Sequence, residues 1–212
     1  MGVAVNLTKM EWGGGEPVWV PPGTQPPMVG SGGWLLVFPD VSGDPRYECD
    51  RVGVAGIDIN RDFPYGWRPL RNPETLTGPR PLSSRHAQEV WETLKAFAPR
   101  TVLSLHTGEE AVYSPWDGSW KPPPQTLDAC KARDLLSWPE ARCGPAGELS
   151  GYLAPGSAID AAAGLLPSVE VALTIELGGD PQSLDCQTAF RASRGAETLV
   201  DLVRWLPEPC SS

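Results

Sequence analysis

Three short segments of this chain carry side chains whose types and spacing could support chemistry together. Only two histidines occur, His86 and His106. His86 stands among Ser84, Arg85 and Gln88 in a stretch of helical spacing and reads as a solvated surface residue. His106 ends the aliphatic run Thr101-Val102-Leu103-Ser104-Leu105 and is followed by Thr107-Gly108. Alone, such a histidine is more often a hydrogen-bonded structural residue than a ligand, so its partners decide its meaning. Glu176 lies inside Val169-Glu170-Val171-Ala172-Leu173-Thr174-Ile175-Glu176-Leu177. An isolated carboxylate in an apolar strand is costly to bury, so this one must be paired, protonated or facing a cleft. The bland alternative is a charge at the strand mouth looking into water. A carboxylate in a cleft is also what a general base requires. Asn60-Arg61 offers a planar guanidinium and an amide donor, a combination suited to gripping a carboxylate, although the dipeptide alone is a weak signal.

The elements that must position these groups follow from apolar periodicity. Residues 34–38 form a short continuous apolar run closed by Pro39, which predicts a buried strand. A polar loop then leads into the extended stretch Ile57-Asp58-Ile59-Asn60-Arg61-Asp62-Phe63-Pro64. Residues 81–98 predict a helix, with Ser83 or Ser84 as N-cap, Val90, Leu94 and Phe97 on one face, and Pro99 ending it. Residues 101–105 predict a strand rich in β-branched and aliphatic residues. Residues 116–158 are dense in proline and glycine, with a short helical stretch near 127–136. A second strong strand is expected at 169–177 and a closing helix at 188–205. This order predicts an α/β fold, with a mixed, largely parallel sheet flanked by helices. Ligands of such sheets bind beyond the carboxyl ends of the strands, where His106, Glu176 and Asn60-Arg61 all fall. Residues 1–33 read as an irregular Gly/Pro-rich segment, and residues 34–212 as one domain without internal repeats.

Composition narrows the function classes. Two hundred and twelve residues suffice for one sizeable core, and 41% hydrophobic with 20% charged residues is ordinary for a folded soluble protein. Glycine (23) and proline (24) are abundant enough to predict a loop-rich fold. A net charge of −9 argues against nucleic acid as a partner, because phosphate binding needs clustered lysine and arginine. No apolar run approaches the ~20 residues of a membrane span. The start, Met1-Gly2-Val3-Ala4-Val5-Asn6, has no basic residue followed by an apolar run, so no signal peptide is expected. Five cysteines (Cys49, Cys130, Cys143, Cys186 and Cys210) show no C-x-x-C spacing and argue against a zinc knuckle or redox motif. Cys130 and Cys143 could close a short loop in an extracellular protein.

Taken together, the segments resemble the zinc metallocarboxypeptidases. Gly56-Ile57-Asp58-Ile59-Asn60-Arg61-Asp62-Phe63-Pro64 is similar to that family's Gly-(Val/Ile)-Asp-Leu-Asn-Arg-(Asn/Asp)-Phe-Pro signature. The resemblance implies that Asn60 and Arg61 hold the substrate's terminal carboxylate. The stretch from Val37 to Tyr47 loosely resembles the family's Pro-x-x-Asn-Pro-Asp-Gly-Tyr turn. Leu105-His106-Thr107-Gly108, with Tyr113-Ser114-Pro115-Trp116-Asp117 behind it, resembles Leu-His-(Ser/Gly)-Gly followed by Tyr-Pro-Tyr-Asp. His106 then corresponds to the third zinc ligand. Thr174-Ile175-Glu176-Leu177 is similar to Thr-(Ile/Phe/Leu)-Glu-Leu, which makes Glu176 the general base. Arg51, nine positions before Asn60, is placed as in the carboxypeptidase N/E-like branch, where the arginine polarises the scissile carbonyl. Gly151-Tyr152-Leu153-Ala154-Pro155-Gly156-Ser157-Ala158-Ile159-Asp160 resembles Tyr-x-x-Ser-Gly-(Gly/Ser)-x-x-Asp, whose tyrosine folds over bound substrate. A plain loop tyrosine is the alternative for Tyr152.

The same resemblance exposes a departure. The family's zinc site is His-x-x-Glu plus the later histidine, and no histidine precedes His86. Gly14-Gly15-Glu16-Pro17-Val18 is similar to His-Gly-x-Glu-Pro-Val with Gly13 in the histidine position, which leaves Glu16 as a candidate zinc ligand. At Asp160-Ala161-Ala162-Ala163 the family often has aromatic residues after the aspartate. The resemblance implies a zinc-dependent hydrolase that removes C-terminal residues from peptides or proteins, with an extracellular or secretory-pathway location. The alternative is a catalytically impaired or truncated carboxypeptidase-like protein that still binds peptide C-termini. On ligand count, the chain as written is expected to hold Zn2+ less tightly than a complete site.

Overall fold

The computed structural model describes residues 3–6, 35–36, 57–72, 75–106, 109–121, 129–136 and 138–177. The helix expected at 188–205 lies outside them. Eight strands are present among the described residues: β1 (Val3–Asn6), β2 (Leu35–Leu36), β3 (Arg71–Asn72), β4 (Thr75–Leu76), β5 (Thr101–His106), β6 (Glu110–Ser114), β7 (Arg142–Pro145) and β8 (Val171–Leu177). The helices are α1 (Arg85–Phe97), α2 (Ala129–Leu135), α3 (Ala146–Leu149) and α4 (Ala158–Leu165), with a single 3-10 turn at Ile59–Arg61. Six strands make one sheet in the order β2-β1-β5-β8-β6-β7, and β3 pairs with β4 alone.

The sheet is mixed, as expected, but its parallel share is confined to β5–β8 and β6–β7. Antiparallel pairs join β1 to β2 and to β5, and β6 to β8. Two features account for this. The short connection from β5 to β6 cannot make a parallel crossover, so β6 runs back along β8. Val3–Asn6 also forms a strand, within the stretch expected to be irregular, and lies between β2 and β5. The expected strand at 34–38 is represented by Leu35–Leu36, which sits at the sheet edge and is separated from β5 by β1.

Alternation along the strands sorts their side chains onto two faces. Leu103, Leu105, Val112, Leu173 and Ile175 fall on one face and pack with Ala129, Ala132, Leu136 and Trp138 of the α2 region. A disulfide between Cys130 and Cys143 ties α2 to β7 on that side. Val102 and Ala172 fall on the other face beneath α1 and α4, with Phe63, Ala87, Val90, Trp91, Leu94, Ile159, Ala161 and Ala162. Each fully buried aliphatic side chain in these layers contributes roughly 1.5–3 kcal/mol relative to exposure. The alanines after Asp160 let α4 approach the sheet closely, since Ala161 and Ala162 are fully buried against it.

The helix starts are tied to the segment carrying Asn60 and Arg61. Ser84 caps α1 by accepting from the Ala87 amide at 3.2 Å, and its own amide donates to the buried Asp62 carboxylate at 2.6 Å. The Leu82 amide donates to the Asp62 carbonyl at 2.6 Å. At α4, Ser157 caps by accepting from the Asp160 amide at 3.2 Å. Ala98, in the left-handed conformation, ends α1 just before Pro99. Gly156 sits at φ +78°, and a Cβ there would come within 2.6 Å of the Arg61 carbonyl oxygen. Its own carbonyl accepts from the Phe63 amide at 2.9 Å. Ser84→Ala is therefore expected to lower unfolding free energy by about 1 kcal/mol. Gly156→Ala should cost more than about 1 kcal/mol, because it adds backbone strain to a collision with the 61–63 segment. Urea denaturation of both variants checks the order; a neutral Gly156→Ala would contradict the packing.

Candidate active site

The register of β5 against β8 brings two of the expected site residues together. His106 lies directly opposite Glu176, and Ser104 opposite Thr174, in consecutive same-face steps of the parallel pair. Counting back along the same face gives Val102 and Ala172, so the face changes from apolar under α4 to polar at the carboxyl ends of the strands. β6 adds Tyr113 opposite Thr174 and Ala111 opposite Glu176. The Nδ1 atom of His106 is 3.8 Å from Oε1 of Glu176, with both side chains mostly buried (15% and 17% exposed). The other ring nitrogen, Nε2, shares a 2.8 Å hydrogen bond with Ser104 Oγ. When Nε2–H donates to Ser104, the lone pair is on Nδ1, the nitrogen turned toward the carboxylate. Ser104 thus orients the ring, a role that histidine spacing alone does not reveal.

Tyr113 is buried beside this pair and donates from its hydroxyl to Glu109 at 2.9 Å. Burial, that hydrogen bond and the Glu109 charge hold its phenol far above the usual tyrosine range, with Arg142 opposing and Glu176 adding to the effect. It therefore stays neutral at any working pH.

Asn60 and Arg61 are brought together with a different set of groups. Asp58 accepts from the Asn60 amide at 3.0 Å and so shapes the 3-10 turn. Asn60 Oδ1 accepts from the Ala158 amide at 3.0 Å, satisfying one of the orphan donors at the start of α4. Arg61 is 3% exposed, and its Nη1 donates to the Asn60 carbonyl at 2.8 Å. Asp117, on the turn after β6, is buried with the Arg61 charge acting on it, and its Oδ1 has no hydrogen-bond partner among the described residues. Asp160 receives the Asp117 amide on Oδ1 at 2.8 Å and the Gly118 amide on Oδ2 at 2.9 Å. The Asp117 carbonyl in turn accepts from Ala154 at 2.7 Å. The turn at 117–118, the start of α4 and the Asn60-Arg61 turn are thus joined by bonds between groups far apart in sequence.

Burial raises both carboxyls of this cluster. Asp160 is pushed up to about 7, by desolvation first and the neighbouring Asp117 charge second, against the opposing bonds from Asp117, Gly118 and Ser157. Asp117 is pushed up to about 6 by desolvation, against Ser157 and Arg61. The two titrate as one unit. Nothing in their local sequence gives either aspartate a role. The signal that was present is Ser157-x-x-Asp160, a helix-start pattern in which Ser157 makes its half of the capping box. Asp160 departs from that pattern by turning to the 117–118 amides.

Of the remaining candidates, Tyr152 is on the surface, 52% exposed, in the segment following α3. Arg51 and Glu16 lie outside the described residues. Among the described residues no group of three or more His, Cys, Asp or Glu side chains is arranged to hold a metal ion. Catalytic zinc takes three protein ligands, and the described residues do not bring three such side chains together. Among them, too, no helix is long and apolar enough to cross a membrane.

The raised carboxyl pair has a consequence for stability. Its folded-state values exceed the ordinary aspartate value of 3.8, so between the two the folded chain binds more protons than the unfolded one. Stability from this pair is complete below 3.8 and falls as pH rises toward about 7. Thermal melts across that window should show wild-type Tm falling relative to Asp117→Asn; parallel curves would contradict the burial of two interacting carboxyls.

Comparison with known proteins adds the relationship. A family model described as zinc carboxypeptidase matches residues 41–182. Among solved structures, the chain is similar to thrombin-activatable fibrinolysis inhibitor, with 22% identity and a TM-score of 0.58 over 70% of this chain and 41% of that one. The bovine form of that protein, in complex with tick carboxypeptidase inhibitor, gives 22% identity and 0.58 over 70% of this chain and 55% of that one. Carboxypeptidase A from Helicoverpa armigera gives 17% identity and 0.54 over 69% and 40%. At these identities the structures establish a shared fold, and the chain spans between 40% and 55% of their lengths. No match was found among curated protein sequences.

Proposed function

This chain belongs to the zinc carboxypeptidase family, and from that membership we propose that the protein is a metallocarboxypeptidase-type hydrolase removing C-terminal residues from peptides or proteins. The observation that carries the proposal is the His106–Glu176 pair, 3.8 Å apart at the carboxyl ends of two parallel strands. Zinc in this family's site supplies a Lewis acid that polarises the scissile carbonyl and lowers the pKa of water. His106 would contribute one of its ligands, and Glu16 is the candidate for another. Glu176 accepts the proton of the attacking water.

Asn60 and Arg61 bind the terminal carboxylate. Arg61 is held by the Asn60 carbonyl and Asn60 by the Ala158 amide, so both are pre-positioned, and less rotamer entropy is lost on binding. Arg51 stabilises charge on the carbonyl oxygen, as in the N/E-like branch. Tyr152, exposed in the connection between α3 and α4, closes over the bound residue. The disulfide of Cys130 with Cys143 supports an oxidising, secretory compartment.

Peptide cleavage followed by mass spectrometry, with metal analysis of the same samples, tests this reading. Glu176→Gln should lower kcat by about 10²–10⁴ while the protein keeps its metal, since only the base is removed. His106→Ala should lose both zinc and activity. Release of C-terminal residues at an undiminished rate by Glu176→Gln would sink the proposal. A chain that binds peptide carboxylates yet never cleaves them would support the binding-protein reading instead.

A further inference from the structure

Asp117 and Asp160 have no part in the chemistry just described, yet they are among the most buried polar residues of the described chain, at 7% and 2% exposed. Burying two carboxyls together is costly, and it is tolerated where each contributes something. Asp160 contributes order. With both oxygens receiving backbone amides, it locks the Asp117-Gly118 turn against the first turn of α4. That turn of α4 is also where Asn60 Oδ1 is bound, at the Ala158 amide. Asp117 contributes charge, since the Arg61 guanidinium acts on its carboxyl across space and its buried Oδ1 has no partner among the described residues. The groups acting on the two carboxyls are each other, Arg61 from the 3-10 turn, the Ser157 hydroxyl from the start of α4, and the backbone amides of the 117–118 turn.

We propose that Asp117 and Asp160 are a positioning pair for the Asn60-Arg61 turn that makes its grip on a ligand carboxylate dependent on pH. With one proton shared by the pair, the cluster of Arg61, Asp117 and Asp160 is electrically neutral, and the guanidinium can answer a ligand's carboxylate. When that proton leaves, the cluster carries an extra negative charge. Asp117 then competes for Arg61 and repels the incoming carboxylate. Affinity for a C-terminal carboxylate accordingly falls as pH rises through the titration of the pair, although neither the ligand's carboxylate nor Arg61 changes charge there. This rests on the reading of Asn60-Arg61 as the carboxylate clamp. It adds a regulation of that site that acts through Arg61 rather than on the reacting bond.

The test is calorimetric titration of the full chain, in whatever metal state it is purified, with an N-acetyl dipeptide bearing a free C-terminal carboxylate and with its C-terminal amide. Over a range from about pH 5.5 to about pH 8.5, the wild-type Kd for the carboxylate should rise by about tenfold, one pKa unit's worth of differential interaction. The amide should bind weakly and without that slope. Asp117→Asn, which keeps shape and cannot ionise, should flatten the carboxylate profile. Ser157→Ala removes a hydroxyl that holds both carboxyls down, so the midpoint should move to higher pH; this gives a second reading if Asp117→Asn does not fold. A carboxylate bound no better than the amide at every pH overturns the clamp itself. A carboxylate preference that is flat with pH in the wild type, or a slope unchanged in Asp117→Asn, or a midpoint unmoved in Ser157→Ala, overturns the pair's role and leaves the clamp standing.

Discussion

The parallel pairing of β5 with β8 decides where every other group of interest can be. Six consecutive residues of each strand face one another, from Thr101 opposite Val171 to His106 opposite Glu176. Because side chains alternate strictly, a slip of one residue would send His106 to the face occupied by α2 and Leu103 into the polar one. The apolar positions prevent that slip. Leu103, Leu105, Leu173 and Ile175 are buried together on one side, and Val102 and Ala172 on the other. Hydrophobic burial on two faces thus holds the register that places His106 opposite Glu176, which the polar residues could not hold themselves.

The second constraint is the cost of placing Arg61 and four aspartates (Asp58, Asp62, Asp117 and Asp160) inside the protein. Buried charge persists only where hydrogen bonds and opposite charges compensate for lost water. Here the compensation comes from three separate pieces of chain: the 3-10 turn at Ile59–Arg61, the turn after β6, and the first turn of α4. Each uses a group that would otherwise be an unsatisfied helix end or a strained turn. Asn60 satisfies an α4 amide, Asp62 an amide at the α1 start, and Asp160 two amides of the 117–118 turn. The polar network therefore orders the same Asn60-Arg61 turn that the proposed function assigns to the substrate carboxylate.

Much of this was legible in sequence because the local signals are strong. The Ser84 cap, the 3.6-residue spacing of Val90 and Leu94 and the stop at Pro99 specify α1 without help from the rest of the chain. The aliphatic runs ending in His106 and Leu177 specify the two central strands, and the Asn60-Arg61 and Thr174-Ile175-Glu176-Leu177 strings carried the family resemblance that the family model bears out. Strand order was not legible. Pairing direction depends on which strand finds which partner across tens of residues, so a pattern that looked largely parallel became a sheet with three antiparallel pairings. Val3–Asn6 is not legible for the same reason: four residues with little periodicity become a strand only when an edge of β5 is there to receive them.

What the sequence determined by itself, then, is α1, the two central strands and the chemical types near the ends of its expected segments: an imidazole, a carboxylate and a guanidinium. What tertiary structure decided is which of these meet and in what electrostatic state. Glu176 could be read as a buried or a solvated charge until β8 lay beside β5 and brought it to 3.8 Å from His106. Asp117 and Asp160 are 43 residues apart and unremarkable in the chain, and only folding places one carboxyl on the other's backbone amide. The reason is physical: secondary structure is set by interactions over a few residues, whereas desolvation and Coulomb effects depend on distances in space that no local pattern encodes.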